Sequence, residues 1–201
     1  MANKKDLNFE TKVIHAGQKS DPTTGAVMTP IVLASTFEQS SPGVHKGYDY
    51  SRSINPTREA FENCIASLEN GVKGYGFSSG VAAISACIEL LSPGDHVIAM
   101  DDLYGGSVRL FNEIKTISQG IEVSYVDMTN VDNIKADLKE NTKMIFVETP
   151  TNPLLKVADL SKIARLAKAN KILTVCDNTF ASPFNQQPIN HGFDIVIHSA
   201  T

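Results

Sequence analysis

The sequence predicts an α/β fold: a mostly parallel sheet with flanking helices, preceded by an extended N-terminal arm. Three observations carry this expectation. Short apolar, β-branched runs alternate with segments of helical period from Tyr75 to the last residue. Polar residues gather at the C-terminal ends of those runs, where open parallel sheets bind ligands. Residues 1–55, by contrast, show no clear helical or strand period.

The first 55 residues carry turn signals at Asp21-Pro22, Met28-Thr29-Pro30 and Ser41-Pro42-Gly43, then the aromatic and polar run Tyr48-Asp49-Tyr50-Ser51-Arg52. A long irregular segment does not build its own core, so it is expected to lie on another surface. Asn55-Pro56 starts a helix, because Asn caps and Pro suits the first turn. Phe61, Cys64, Ile65 and Leu68 give that helix an apolar stripe, and Asn70-Gly71 ends it. Strands are expected at Tyr75–Ser78, His96–Met100, Glu122–Val126, Met144–Val147, Ile172–Cys176 and Asp194–Ile197. Helices are expected at Gly80–Leu91, Gly106–Ser118, Val131–Lys139 and Ala158–Ala169.

Composition narrows the function classes. With 201 residues, 42% hydrophobic and 20% charged, the chain is an ordinary soluble one, large enough for one good core. A net charge of −4 with scattered Lys and Arg points away from nucleic acid. No apolar run reaches the length of a membrane span, and the charged opening MANKKDLNFETK has no apolar stretch of a secretory signal behind it. Cys64, Cys87 and Cys176 lie far apart in apolar surroundings, as reduced core residues of a cytoplasmic protein do. The five histidines lack metal-ligand spacing, so no metal is expected.

The polar strand ends suggest a site. In Phe77-Ser78-Ser79-Gly80-Val81, helix-start amides and hydroxyls form an anion site, or equally an ordinary serine cap. The helix dipole supplies only about 0.3–1 kcal/mol, so a phosphate would need a cation such as Arg52 as well. Tyr104, in Met100-Asp101-Asp102-Leu103-Tyr104-Gly105-Gly106, is either a core ring or a ring stacked on a flat ligand. Pro150 and Pro153 make a rigid turn that places Asn152 at the sheet's carboxyl edge. Asp177 ends one strand, and Ser199 and Thr201 follow another. Ser79, Tyr104, Asn152, Asp177 and Ser199/Thr201 thus share one side of a parallel sheet, as the groups of a cofactor site do.

YDYSRSINPTR, FSSGVAA, MDDLYGG, VETPTNP, VCDNTF and the final HSAT together resemble the Cys/Met-metabolism family of pyridoxal-phosphate enzymes, of aspartate-aminotransferase-like fold type I. The likeness runs from about residue 10 to Thr201 and covers the first half of such an enzyme. It implies that residues 1–55 are an arm packed on a neighbouring subunit, and that 56–201 begin the large cofactor-binding domain. It implies backbone N–H groups of Gly80 and Val81 and hydroxyls of Ser199 and Thr201 at the cofactor phosphate. Tyr50 and Arg52 would reach the phosphate of a neighbouring subunit's cofactor. Tyr104 would stack on the pyridine ring, Asn152 would face its 3-oxygen, and Asp177 would pair with the ring nitrogen and keep it protonated.

The implied assembly is a homotetramer of dimers with shared sites, acting on a small amino-acid substrate. The implied chemistry is γ-elimination or γ-replacement on cystathionine or activated homoserine, of the cystathionine γ-lyase or γ-synthase type. Methionine γ-lyases and homoserine sulfhydrylases belong to the same family, but the former typically carry a cysteine where this chain has Gly106. The family motif continues S-A-T-K, so a lysine bonded to the cofactor is expected directly after Thr201, with a second domain beyond. The alternative is a non-catalytic fragment that binds pyridoxal phosphate or a full-length partner.

Overall fold

A computed structural model describes residues 7–201, which form two compact units, the first ending at Gly76 and the second spanning Phe77–Thr201. The opening MANKKD, read above for a secretory signal, lies outside the described residues. No helix among the described residues is long and apolar enough to cross a membrane.

The first unit begins with a short helix, α1 (Phe9–His15), where the sequence shows no helical period. None of its residues is buried, so it needs no apolar stripe. Strands β1 (Gln39–Ser41) and β2 (Val44–His45) form an antiparallel hairpin, and Thr36 bridges to Tyr50. Helix α2 (Pro56–Leu68) starts as expected, with the Asn55 side chain accepting from the amides of Thr57 and Arg58. Gly17 lets the chain cross α2 closely: its φ is +75°, and a Cβ there would sit 2.2 Å from the Ala60 carbonyl oxygen. The expected strand at Tyr75–Ser78 does not form. The Gly76 amide donates to Glu62 Oε1 (2.8 Å) instead of to a ladder, and Tyr75 and Phe77 stay exposed.

The second unit is a five-stranded, all-parallel sheet, in the order β4-β3-β5-β6-β7, with flanking helices. In chain order it contains α3 (Gly80–Ile88), β3 (His96–Met100) and α4 (Gly105–Arg109). Helix α4 continues through a π-helical turn, Leu110–Lys115, into α5 (Thr116–Ser118). There follow β4 (Glu122–Val126), α6 (Val131–Ala136), β5 (Thr142–Glu148), α7 (Leu160–Asn170) and β6 (Leu173–Asp177). Helix α8 (Ser182–Asn185), a 3-10 turn at Pro188–His191 and β7 (Ile195–Ile197) complete it.

Strands β3 and β5 lie between neighbouring strands and are covered on both faces, so their middles are continuous apolar runs: Val97–Met100 and Met144–Val147 are wholly buried. The rings of Phe111 and Phe146 meet edge to face, with centroids 5.3 Å apart. Cys87 is half-buried and Cys176 buried, and burial pushes the Cys87 thiol up to about 11, which keeps it protonated.

Both β5 and β6 end one residue later than expected. Each takes a carboxylate into its last rung, so that Glu148 pairs with Asp177 in the register. Register partners in a parallel sheet point to the same face about 4.8 Å apart. The two carboxylates therefore sit side by side at the carboxyl edge.

At the opposite edge, His96 is buried between Thr142 Oγ1 (2.8 Å) and Ser124 Oγ (2.9 Å). Burial first, and then the Lys139 charge, hold its pKa below the ordinary imidazole value, against the pull of Asp137 and Glu122. The unfolded chain therefore binds a proton that the folded one resists, and stability falls as pH drops below about 6.5. An NMR titration should place the ring below that value, with unfolding free energy decreasing from pH 7 to pH 5. A ring that titrates at or above the ordinary value would refute this.

Candidate active site

The carboxyl edge of the sheet collects its polar groups in two linked clusters. The first surrounds the start of α3. Ser79 caps this helix: its Oγ accepts from the Ala82 amide (3.1 Å) and its carbonyl from the Ala83 amide (3.1 Å). The amides of Gly80 and Val81 are left without a partner among the described residues. Gly80 brings this end against β7's exit, since a Cβ there would lie 3.0 Å from Ser199 Cβ. Ser199 Oγ and Thr201 Oγ1 are 2.9 Å apart. Two open amides and two hydroxyls around a glycine make a cradle for an anion.

A hydrogen-bonded path leads from this cradle to Asp177. The Ser199 amide donates to Thr179 Oγ1 (2.9 Å), and the Thr179 hydroxyl and amide both donate to Asp177 Oδ1 (2.6 and 3.0 Å). Asp177 Oδ2 makes no hydrogen bond among the described residues. Asn178 braces the same turn: it is buried, its amide donates to the Ile197 carbonyl, and its side-chain NH2 donates to the Gln186 backbone carbonyl. This is the Asp-Asn-Thr turn at the end of β6, locked to the chain that follows β7.

The second cluster joins the loops after β3 and β5. Glu148 Oε2 accepts from the Tyr104 amide (3.0 Å) and Oε1 from the Asn152 amide (2.8 Å). Asp102 Oδ2 accepts from the Thr151 hydroxyl (2.5 Å) and the Leu154 amide (2.9 Å). The Tyr104 ring is 49% exposed and lies over Gly106, where a Cβ would come within 2.4 Å of its Cε1. A glycine is thus needed at 106 for this ring position. Burial is the main influence on Glu148 and pushes its carboxyl up to about 7. The charges of Asp177 and Asp102 add to that rise, against the amides of Tyr104 and Asn152.

The structure thus brings Gly80, Val81, Ser199 and Thr201 together, ties them to Asp177, and couples Tyr104 to Asn152. Tyr50 and Arg52 belong to the first unit, where the guanidinium lies 5.0 Å from the Tyr50 ring centroid. Arg58 donates to the carbonyls of Ser51 and Ser53 on either side, which holds that turn on α2. Sequence reasoning assigned no role to Glu148 or Thr179. Their signals were a carboxylate closing the apolar run MIFVE and a threonine two residues after an aspartate, the pattern of an Asx turn.

The donor set suits pyridoxal phosphate, with an anion cradle at one end and a carboxylate with an open oxygen at the other. The comparison with known families decides the matter: the model described as "Cys/Met metabolism PLP-dependent enzyme" matches residues 10–201. The chain belongs to that family. Among Cys/Met-metabolism relatives, it is 56% identical over 199 residues to a cystathionine beta-lyase of Coxiella burnetii, covering 99% of this chain and 51% of that protein. It is 47% identical to a cystathionine gamma-lyase of Bacillus subtilis, covering 97% of this chain and 51% of that one. The crystal structure of cystathionine gamma-lyase from Lactobacillus plantarum complexed with L-serine superposes with a TM-score of 0.93 at 46% identity, over 96% of this chain and 50% of that one. The chain spans about half the length of the curated relatives it matches.

Proposed function

We propose that the protein is a pyridoxal-phosphate-dependent lyase of sulfur amino-acid metabolism that acts on cystathionine by γ-elimination. The carrying observation is the Asp177–Thr179–Ser199 path, which fixes a carboxylate relative to an anion cradle. When bound, the cofactor supplies a ring that accepts electron density from the substrate carbon. The chain's own residues then have separate tasks. Gly80 and Val81 amides and the hydroxyls of Ser199 and Thr201 hold the phosphate, and Asp177 keeps a proton on the ring nitrogen through charge attraction. Tyr104 covers the ring face, and Asn152 faces the 3-oxygen. Tyr50 and Arg52 serve a neighbouring subunit's phosphate in a homotetramer with shared sites, and a planar guanidinium suits that anion.

A second reading, β-elimination, is favoured by the 56% identity to the Coxiella burnetii beta-lyase. Products separate the two. γ-Elimination converts cystathionine and water to cysteine, 2-oxobutanoate and ammonia; β-elimination gives homocysteine, pyruvate and ammonia. Chromatography of the products formed by the purified holoenzyme is expected to show cysteine and 2-oxobutanoate in equal amounts. Homocysteine with pyruvate would establish β-elimination, and γ-replacement on activated homoserine without cystathionine cleavage would make the enzyme a synthase.

A further inference from the structure

We propose that Glu148 is a positioning residue whose single carboxylate sets Tyr104 and Asn152 relative to each other at the cofactor. The inference rests on the functional reading above for what these two side chains do. Its geometry stands on the fold alone. Glu148 is the last residue of β5, the middle strand of the sheet, and is 6% exposed. One oxygen accepts the amide of Tyr104 from the loop after β3, and the other accepts the amide of Asn152 from the loop after β5. The Tyr104 hydroxyl and the Asn152 side-chain amide make no hydrogen bond among the described residues. Glu148 thus holds the two backbones and leaves both functional groups available to a ligand.

Closing the β5 loop does not require it. Thr149 Oγ1 accepts from the Ala158 amide (3.0 Å), and Thr151 Oγ1 accepts from the Lys156 amide (2.8 Å) and donates to Asp102. A buried charge beside Asp177 and near Asp102 is also an adverse way to brace a loop, because like charges and burial both oppose ionisation. What the carboxylate does that an amide cannot is accept with both oxygens. A glutamine at 148 would accept one amide and turn its own N–H2 toward the other, so it would release one of the two loops.

The test compares Glu148→Gln and Glu148→Ala with the parent protein. Pyridoxal phosphate affinity is read by titrating the apoprotein and following the visible absorption of the bound cofactor; apoprotein Tm, kcat and KM are measured alongside. Glu148→Gln is expected to weaken cofactor binding about tenfold, because the loop it frees must be re-ordered when the cofactor binds, and Glu148→Ala still further. The loss in turnover should fall on kcat rather than KM. Because the folded-state pKa is raised, ionised Glu148 lowers stability as pH climbs from the ordinary carboxylate range through about 7. The apoprotein Tm of Glu148→Gln at pH 8 should therefore be no lower than the parent's. Unchanged cofactor affinity in both variants, or a loss of affinity matched by a fall in Tm, would overturn the proposal. The titration needs no substrate, so a protein that holds pyridoxal phosphate and cleaves no cystathionine would overturn only the functional reading.

Discussion

Asp177→Asn is expected to lower kcat/KM by about 10²–10³-fold, the order seen when one preorganised electrostatic group is removed from an active site. The substitution is isosteric. The asparagine carbonyl oxygen still accepts from the Thr179 amide and hydroxyl, so the connection to Ser199 is kept. Only the negative charge disappears, and with it the attraction that, in the role proposed for Asp177, would keep a proton on the ring nitrogen. Steady-state kinetics on the cofactor-loaded variant, with cofactor content checked by absorbance, would measure the effect. Parent-like kcat/KM at equal cofactor content would remove Asp177 from the role given to it here.

The largest stability effect is expected in the core. Phe146 is fully buried in the middle of β5, pairs with Ala99 and Val175 across the ladder, and meets Phe111 edge to face. Truncation to alanine removes apolar burial and leaves a cavity bordered by strands that cannot collapse without breaking register. Phe146→Ala should cost about 3–5 kcal/mol, which corresponds to a fall in Tm on the order of 10 °C for a chain of this size. Thermal unfolding followed by circular dichroism would show it. A shift of a degree or two would mean that this core tolerates large voids.

Much of this was legible because the sheet is parallel and buried. Strands covered on both faces must be continuous apolar runs, as β3 and the middle of β5 are, and β3, β4, β5, β6 and β7 were each visible within one or two residues. Their carboxyl ends must face one way, so the strand pattern alone puts Asp177, Ser199, Tyr104 and Asn152 on one edge. Elements that bury little were less visible. Helix α1 buries nothing and left no apolar stripe, and the π-helical turn inside Gly105–Ser118 has the same apolar period as the helix around it. The Tyr75–Ser78 segment has a strand's alternation, yet Gly76 finds a carboxylate as its partner in place of a neighbouring strand.

The sequence by itself determined the layer architecture, the order of strands and helices along the chain, and the chemical types gathered at the carboxyl edge, because periodicity and strand-end placement are local properties. Only the tertiary structure decided which of those groups meet. Gly80 against Ser199, the Thr179 link to Ser199, and Glu148 against Tyr104 all join segments distant in sequence. Strand order β4-β3-β5-β6-β7 sets those meetings, since pairing β5 with β6 places Glu148 beside Asp177. A hydrogen bond depends on separations of a few tenths of an ångström, and such separations come from packing rather than from residue type.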